Sequence, residues 1–281
     1  MGGTKAVKVQ CNVCPHGCKL SEGQTGFCGG RACRGGKVIC ENYGRITSLA
    51  LDPIEKKPLY HYYPGSRILS VGSYGCNLRC PFCQNCEISM AKETDIDYIN
   101  ISCEELVEKA AELKVRGNIG IAYTYNEPLI GYEFVKDSGL LAKKRGLKNV
   151  VVTNGYICEK PLRELLSIVD AFNIDLKGFT NEFYKKLQGD LNTVKNTIKI
   201  AAKACHVEVT TLIVPGENDS ENEIEALSKW LSDISPDIPL HITRFFPRWK
   251  MADKNSTPVK TVYRLAEVAR RHLRYVHEGN C

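Results

Sequence analysis

The sequence lacks any uninterrupted apolar run of the length that a membrane-spanning helix needs, about 20 residues. Its first residues also lack the apolar core of a secretory signal peptide. Lysines and arginines are scattered rather than gathered into a polybasic block, so the net charge of +6 indicates no surface for nucleic acid. These absences predict a cytoplasmic protein that contacts neither membrane nor nucleic acid.

The chain has instead the composition of an ordinary globular protein and an excess of cysteine. Its 281 residues are 43% hydrophobic and 25% charged, which is enough to bury a full core. Fourteen of them are cysteine. Because structural disulfides are rare in the cytosol, this cysteine content indicates metal or redox chemistry.

The main cluster of cysteines follows a short apolar strand at 68–71. Cys76, Cys80 and Cys83 form a C-x3-C-x2-C triplet, with Cys86 just beyond it. Three thiolates around one small volume suit an iron–sulfur cluster and leave one iron without a protein ligand. A zinc loop and a set of buried free thiols are the alternatives, although zinc usually takes paired C-x2-C knuckles separated by a longer gap.

A second group of cysteines opens the chain, within residues 11 to 40. This segment has many glycines and few apolar residues, so it cannot build a core of its own, and a metal is the natural crosslink. Zinc and a second iron–sulfur cluster both remain open, and a purely structural site with no catalytic part is the simplest interpretation. The candidate ligands are Cys11, Cys14, Cys18 and Cys28.

Three regions follow from this pattern: a cysteine-rich metal-binding extension at 1–44, an extended arm at 45–67 that packs on the rest, and a barrel at 68–281. In the last region apolar strands alternate with helical patterns, which predicts a parallel α/β sheet. The strands are expected at 68–72, 119–124, 149–153, 172–176, 207–214 and 240–245, with a short last strand at 275–276. The helices are expected at 103–116, 131–146, 159–169, 192–204, 220–234 and 262–273. Six strands predict an open, partial (β/α)6 TIM-type barrel.

Chemistry in such barrels gathers at the carboxyl ends of the strands, and every expected strand here ends in polar residues or turn formers. The first ends in the cysteine loop, the next three in Y-T-Y-N-E-P, T-N-G and D-L-K-G, and the last two in V-P-G-E-N-D and R-F-F-P. Asp175 and Lys177 share a face at period two, either as ligand-binding groups or as an ion pair inside the barrel. Arg244 is placed to bind a carboxylate bidentately. His241 is either a further mouth residue or a satisfied core histidine.

The triplet loop after the first strand resembles the cluster motif of the radical S-adenosylmethionine (SAM) enzymes. Its combination with T-N-G, D-L-K and V-P-G is similar to the pyruvate formate-lyase activating enzyme family. The opening C-N-V-C-P-H-G-C, the arm D-P-I-E-K-K-P-L-Y-H and the motifs Y-T-Y-N-E-P and R-F-F-P resemble the AmmeMemoRadiSam-system branch of radical SAM enzymes. The likeness extends over nearly the whole chain.

The resemblance implies two cofactors and a set of residues that bind them. Cys76, Cys80 and Cys83 would hold a 4Fe–4S cluster whose fourth iron is chelated by SAM. Glu127 matches the acidic end of a Gly-Gly-Glu element that binds the methionine amino group, although the element here reads Tyr-Asn-Glu. The other residues that the resemblance places near SAM are Phe82, Asn126, Thr153, Asn154, Asp175 and Lys177, to which the strand position adds Arg244.

The activity that the resemblance implies is reductive cleavage of SAM to methionine and a 5′-deoxyadenosyl radical, which abstracts hydrogen from a substrate with oxygen excluded. Activation of a glycyl radical enzyme is the family-level expectation, and modification of another protein or a small molecule is the alternative. An electron donor such as flavodoxin or ferredoxin is expected as a partner. From a different class, a zinc or iron–sulfur module for binding or electron transfer would leave the polar strand ends without a role.

Overall fold

The computed structural model of the chain describes residues 8–281. The described residues form fourteen strands and eight α-helices. The strands are β1 (Val9–Gln10), β2 (Lys19–Leu20), β3 (Arg31–Arg34), β4 (Lys37–Cys40), β5 (Arg45–Ile46), β6 (Ser48–Pro53), β7 (Arg67–Gly72), β8 (Ile99–Asn100), β9 (Asn118–Tyr123), β10 (Lys148–Thr153), β11 (Ala171–Asp175), β12 (His206–Ile213), β13 (Leu240–Arg244) and β14 (Val276–Gly279). The helices are α1 (Cys86–Ser89), α2 (Cys103–Glu112), α3 (Tyr132–Lys144), α4 (Glu159–Leu165), α5 (Asn181–Lys186), α6 (Leu191–Ala201), α7 (Glu221–Ser232) and α8 (Val259–Arg270).

One sheet of eight strands dominates the fold, in the order β14-β13-β12-β11-β10-β9-β7-β6. All neighbouring pairs run parallel except β6 and β7, which are antiparallel. The six expected strands correspond to β7 and β9 to β13, so the open partial barrel is confirmed. Two edge strands extend it: β14, at the expected end of the chain, and β6, which comes from the segment read as an extended arm.

The helices match the sequence expectations in order, with differences at their ends. Helix α4, expected at 159–169, ends at Leu165, because buried Ile168 and Val169 turn inward before β11 begins. The last one begins at Val259, because Pro258 fixes its first turn. Helix α5 was not expected, although Thr180 is a typical N-cap whose side chain accepts from the amide of residue 183. No helix of residues 8–281 has the length and apolarity to cross a bilayer.

The segment between β6 and β7 closes the barrel at the amino ends of its strands. Ile54 and Leu59 are fully buried there, against apolar side chains from β7, β9, β10 and β11. The Pro58 carbonyl accepts from Asn173 on β11, and the amides of Tyr60 and His61 donate to a carboxylate on β12. The D-P-I-E-K-K-P-L-Y-H motif therefore forms a plug at this end of the barrel.

The amino-terminal segment has little regular structure and packs beside the cysteine loop that follows β7. It contains two short antiparallel hairpins, β1–β2 and β3–β4. Helices α2, α3, α4, α6, α7 and α8 cover the sheet with apolar faces and complete one large core. Because the connections of parallel strands bring their carboxyl ends to one edge, the candidate residues gather at that edge.

Candidate functional site

The cysteine triplet lies in the loop that follows β7. Cys80 is buried, and Cys76 and Cys83 are partly buried. The sulfur of Cys76 accepts weak hydrogen bonds from the Leu78 amide at 3.4 Å and from Nδ2 of Asn154 at 3.6 Å. Burial raises the pKa of Cys80 to about 12, so in the absence of a metal the thiol keeps its proton. A metal would displace that proton, because only thiolates act as ligands.

The three cysteines line a cavity of about 250 Å³ at the carboxyl ends of the strands. All but one of the side chains predicted to bind a cofactor line the same cavity; these are Phe82, Asn126, Glu127, Thr153, Asn154, Asp175 and Lys177. They come from the loops after β7 and β9 and from the ends of β10 and β11 with the loops that follow, so residues that are far apart in the chain meet at one edge of the sheet. The exception is Arg244.

Glu127 is the buried acid of the cavity. One of its carboxylate oxygens accepts from the Thr153 hydroxyl at 2.6 Å and from the Leu129 amide at 3.0 Å, and the other accepts from the Asn154 amide at 2.8 Å. Burial raises the pKa of Glu127 to about 7, and these hydrogen bonds limit the rise. The carboxylate is therefore fixed in orientation and electrostatically prepared for a cation.

The side chain of Asn126 is engaged in hydrogen bonds to the backbone around it. Its Nδ2 donates to the carbonyls of Tyr74 and Gly75 at 3.1 Å, and its Oδ1 accepts from the Ser73 amide at 3.0 Å. These bonds tie the backbone just before Cys76 to the loop after β9. Asn126 therefore positions the cysteine loop, although its side chain also borders the cavity.

Asp175 and Lys177 form an ion pair at the cavity wall, with Nζ of Lys177 2.8 Å from the carboxylate. Burial alone would lower the pKa of Lys177, but the Asp175 carboxylate raises it above its ordinary range. The ion pair expected from the sequence is therefore present, and it faces the cavity. Phe82, which also lines the cavity, is 2% exposed and stacks on Phe183 with ring centroids 6.0 Å apart.

One predicted mouth residue lies elsewhere, and His241 is a satisfied core histidine, the second of its two interpretations. Arg244 is not among the cavity-lining residues; its Nε donates to the Thr257 carbonyl at 2.7 Å and its guanidinium covers the Phe246 ring. His241 is buried near the amino end of β13, where its Nε2 lies 2.6 Å from the Glu208 carboxylate. The sequence pattern grouped His241 and Arg244 because both lie on β13. Side chains three residues apart on a strand point to opposite faces, and His241 also lies deeper in the barrel.

Sequence analysis missed Asn77, which lies between the first two cysteines of the triplet. It is 2% exposed, and its side chain donates to the Tyr156 carbonyl and accepts from Nδ2 of Asn154 at 2.9 Å. Tyr125 was also missed as a cavity residue, although it stands within Y-T-Y-N-E-P. Tyr125 has a φ of +72°, which is uncommon for a non-glycine residue. This backbone conformation marks the position as unusual, but it cannot be read from the sequence.

The amino-terminal cysteines divide into two sets. Cys11, Cys14, Cys18 and Cys28 line one narrow pocket. Two other cysteines of the same segment do not: Cys33, on β3, donates to the Glu22 carboxylate, and Cys40 donates to Asn42.

Comparison with known proteins gives a consistent result for the barrel. Residues 70–231 match the family model of the Radical SAM superfamily. An uncharacterized protein of Methanocaldococcus jannaschii is 42% identical, over 97% of this chain and 81% of its own length. The pyruvate formate-lyase 1-activating enzyme of Escherichia coli (strain K12) is 26% identical, over 61% of this chain and 70% of its own.

Among solved structures, Streptococcus suis SuiB bound to S-adenosylmethionine is similar, with a TM-score of 0.59 at 13% identity. The match covers 76% of this chain and 52% of SuiB, so this chain spans about half of that longer protein. At such low identity the likeness concerns the fold alone.

Proposed function

Because the chain belongs to the radical SAM superfamily, we propose that its barrel mouth binds a 4Fe–4S cluster through Cys76, Cys80 and Cys83, with SAM on the remaining iron. When bound, this pair supplies reductive cleavage of SAM to methionine and a 5′-deoxyadenosyl radical, which takes a hydrogen atom from a substrate. The donor set fits the cluster, since three thiols share one cavity and the sulfur of Cys76 already accepts two N–H groups.

The observation that carries the proposal is the set of polar residues that share the cavity with the triplet. Three cysteines alone would form a metal site of undecided kind. Here they share a cavity with a buried carboxylate, Glu127, and with the Asp175–Lys177 pair. A site that only stores or carries a metal needs no such polar wall beside an incomplete ligand set.

The residues of the wall have distinct roles toward SAM. Glu127 binds the methionine ammonium, and that cation lowers the pKa of the carboxyl group and keeps it ionised. Asp175 accepts hydrogen bonds from the ribose hydroxyls, while Lys177 holds the Asp175 carboxylate in place and offers its remaining donors to the SAM carboxylate. Asn154 braces the sulfur of Cys76 through Nδ2 and the Glu127 carboxylate through its backbone amide. Phe82 gives the adenine an apolar surface.

We propose a glycine of a partner protein as the source of the abstracted hydrogen, supported by the 26% identity to a pyruvate formate-lyase activating enzyme. Modification of another protein or a small molecule is the second candidate, because 39% of this chain lies outside that match. A low-potential donor such as flavodoxin or ferredoxin would supply the electron. Anaerobic incubation with candidate glycyl radical enzymes separates the two, since a glycyl radical gives a doublet in electron paramagnetic resonance (EPR) and the second candidate predicts no doublet.

SAM cleavage itself is tested with the anaerobically reconstituted chain, SAM and dithionite, by measuring 5′-deoxyadenosine. Cys80→Ala should reduce the product to background, because two thiolates do not hold the cluster. Cys86→Ala is the matched control, since Cys86 is in the same loop region but does not line the cavity, and it should retain wild-type product. A wild-type chain that yields no more 5′-deoxyadenosine than Cys80→Ala would contradict the proposal.

A further inference from the structure

Four of the fourteen cysteines surround a second pocket outside the barrel. Cys11, Cys14, Cys18 and Cys28 line it together with His16, Arg31 and apolar side chains. Cys11, Cys14 and Cys28 are buried, and Cys18 is partly buried. The pocket holds four of the six cysteines in residues 11 to 40, so the fold selects a particular set from this segment.

Backbone hydrogen bonds fix the first three of these cysteines in one turn. The Cys11 amide donates to the Cys18 carbonyl at 2.9 Å, and the Gly17 amide donates to the Cys14 carbonyl at 3.1 Å. Gly17, with a φ of +53°, makes the turn within the β1–β2 hairpin. Outside this pocket the segment offers only short strands and few buried apolar side chains, so a crosslink at the thiols is the physical reason for it to fold.

A polar group inside the same pocket lacks a partner. Arg31 is 5% exposed and lines the pocket, and its terminal nitrogens donate to the Ile130 carbonyl and the Glu133 carboxylate. Its Nε is buried and has no hydrogen-bond partner among the residues that the structure describes. A buried N–H without an acceptor is costly, and a sulfur-rich anion in the pocket would satisfy it.

We propose that Cys11, Cys14, Cys18 and Cys28 bind a second 4Fe–4S cluster. A single zinc would draw its thiolates to about 3.8 Å from one another, given Zn–S bonds of about 2.3 Å. Within residues 8–281 no three cysteine, histidine, aspartate or glutamate side chains converge as a single ion requires. The cysteines of the triplet do not converge in that way either.

The second site lies directly against the first. The carbonyl of Cys28 accepts the backbone amide of Cys76 at 3.0 Å. Arg79 crosses the same junction: it donates to the carbonyls of Phe27 and Cys76, and its guanidinium stacks 3.9 Å from the Phe27 ring. One backbone hydrogen bond therefore separates a ligand of one cluster from a ligand of the other.

Ligand number gives the two clusters different behaviour. Four cysteines occupy every iron of the amino-terminal cluster, so it has no site for SAM, whereas the triplet leaves one iron open. Each cluster takes one electron from dithionite and becomes paramagnetic. The EPR signal of the amino-terminal cluster should be unchanged by SAM, and that of the triplet cluster should shift.

The experiment uses the full-length chain after anaerobic reconstitution, with iron, sulfide and zinc measured per chain. Wild type should hold about eight irons, and both the quartet variant (Cys11, Cys14, Cys18 and Cys28 to Ala) and the triplet variant (Cys76, Cys80 and Cys83 to Ala) about four. The control replaces Cys33 and Cys40, which lie in the same segment but outside the pocket, and should keep the wild-type iron. The quartet variant should lose only the SAM-insensitive signal.

Two results would overturn the second cluster: iron that stays at the wild-type amount in the quartet variant, or one zinc per chain that disappears with these cysteines. Should the quartet variant fail to fold, the triplet variant still decides, because its intact amino-terminal segment must retain about four irons and a SAM-insensitive signal. Iron content is independent of SAM cleavage, so failure of the proposed function and failure of this inference give different results.

Discussion

The two cysteine groups touch each other, yet their surroundings differ. The triplet of the barrel lines a cavity of about 250 Å³ with polar residues from four strand ends. The quartet of the amino-terminal segment lines a narrow pocket whose other walls are mostly apolar, with one arginine donor. Thiols alone therefore do not make a reactive centre. Space for a second ligand beside an incomplete thiol set distinguishes the region proposed to be catalytic from the region proposed to hold a closed cluster.

The largest expected effect comes from the residue at which the two groups meet. Gly75 has a φ of +88°, and a Cβ there would lie 2.4 Å from the Cys28 carbonyl. Gly75→Ala should separate Cys28 from Cys76 and cost the chain most of its iron at both centres, measured as iron per chain after reconstitution.

Gly65→Ala is the matched control, because Gly65 has a φ of +81° but open space around it. It should show only the backbone strain, about 1–3 kcal/mol, and keep its iron. Equal iron loss in both variants would mean that backbone strain, rather than separation of the two loops, causes the loss.

A second substitution tests whether the proposed metal centres depend on the stability of the plugged end of the barrel. Glu208 on β12 is fully buried and accepts from two amides of the plug and from His206 and His241. Burial opposes ionisation, but these donors outweigh it and lower the pKa of Glu208 from 4.5 to about 2. Its stabilising effect is therefore present above pH 4.5 and is lost as the pH falls from there toward 2.

Glu208→Gln should lower the free energy of unfolding at neutral pH by about 3 kcal/mol and flatten its dependence on acid pH, as measured by denaturant titration from pH 7 to 3. Iron content and SAM cleavage below the unfolding transition should stay at the wild-type level. Glu267→Gln, which alters an exposed ion pair with Arg270, should change little. Selective iron loss in Glu208→Gln would show that the centres depend on the closed end of the barrel.

The smallest effect is expected from the side chain that bridges the two loops. Arg79→Ala removes hydrogen bonds to the Phe27 and Cys76 carbonyls and the stacking on Phe27. We expect unfolding to become easier by about 2 kcal/mol and iron release to a chelator to be faster. Arg163→Ala, at an exposed ion pair on α4, is the control and should have almost no effect. If Arg79→Ala matches this control, the backbone contact alone couples the loops.

Local sequence signals were sufficient for the six barrel strands and for most of the cavity, but they did not predict β6. Thr153 and Asp175 end their strands, and Asn154 and Glu127 lie in the loops just after a strand; parallel strands bring such positions to one edge. Arg244 also ends a strand, but a loop carbonyl at Thr257 binds its guanidinium. Thr257 is 13 residues away from Arg244 in the chain. No spacing pattern shows whether a long side chain will contact a loop carbonyl or a ligand in the cavity.

The cysteine triplet and the succession of parallel barrel strands could be predicted from the sequence, because both depend on residues that are neighbours in the chain. Only the tertiary structure sorted six amino-terminal cysteines into four that share a pocket and two that do not. It also placed the Cys28 carbonyl against the Cys76 amide, across 48 residues. Contacts of that range are decided by how whole segments pack, since the backbone groups that make them are the same in every residue.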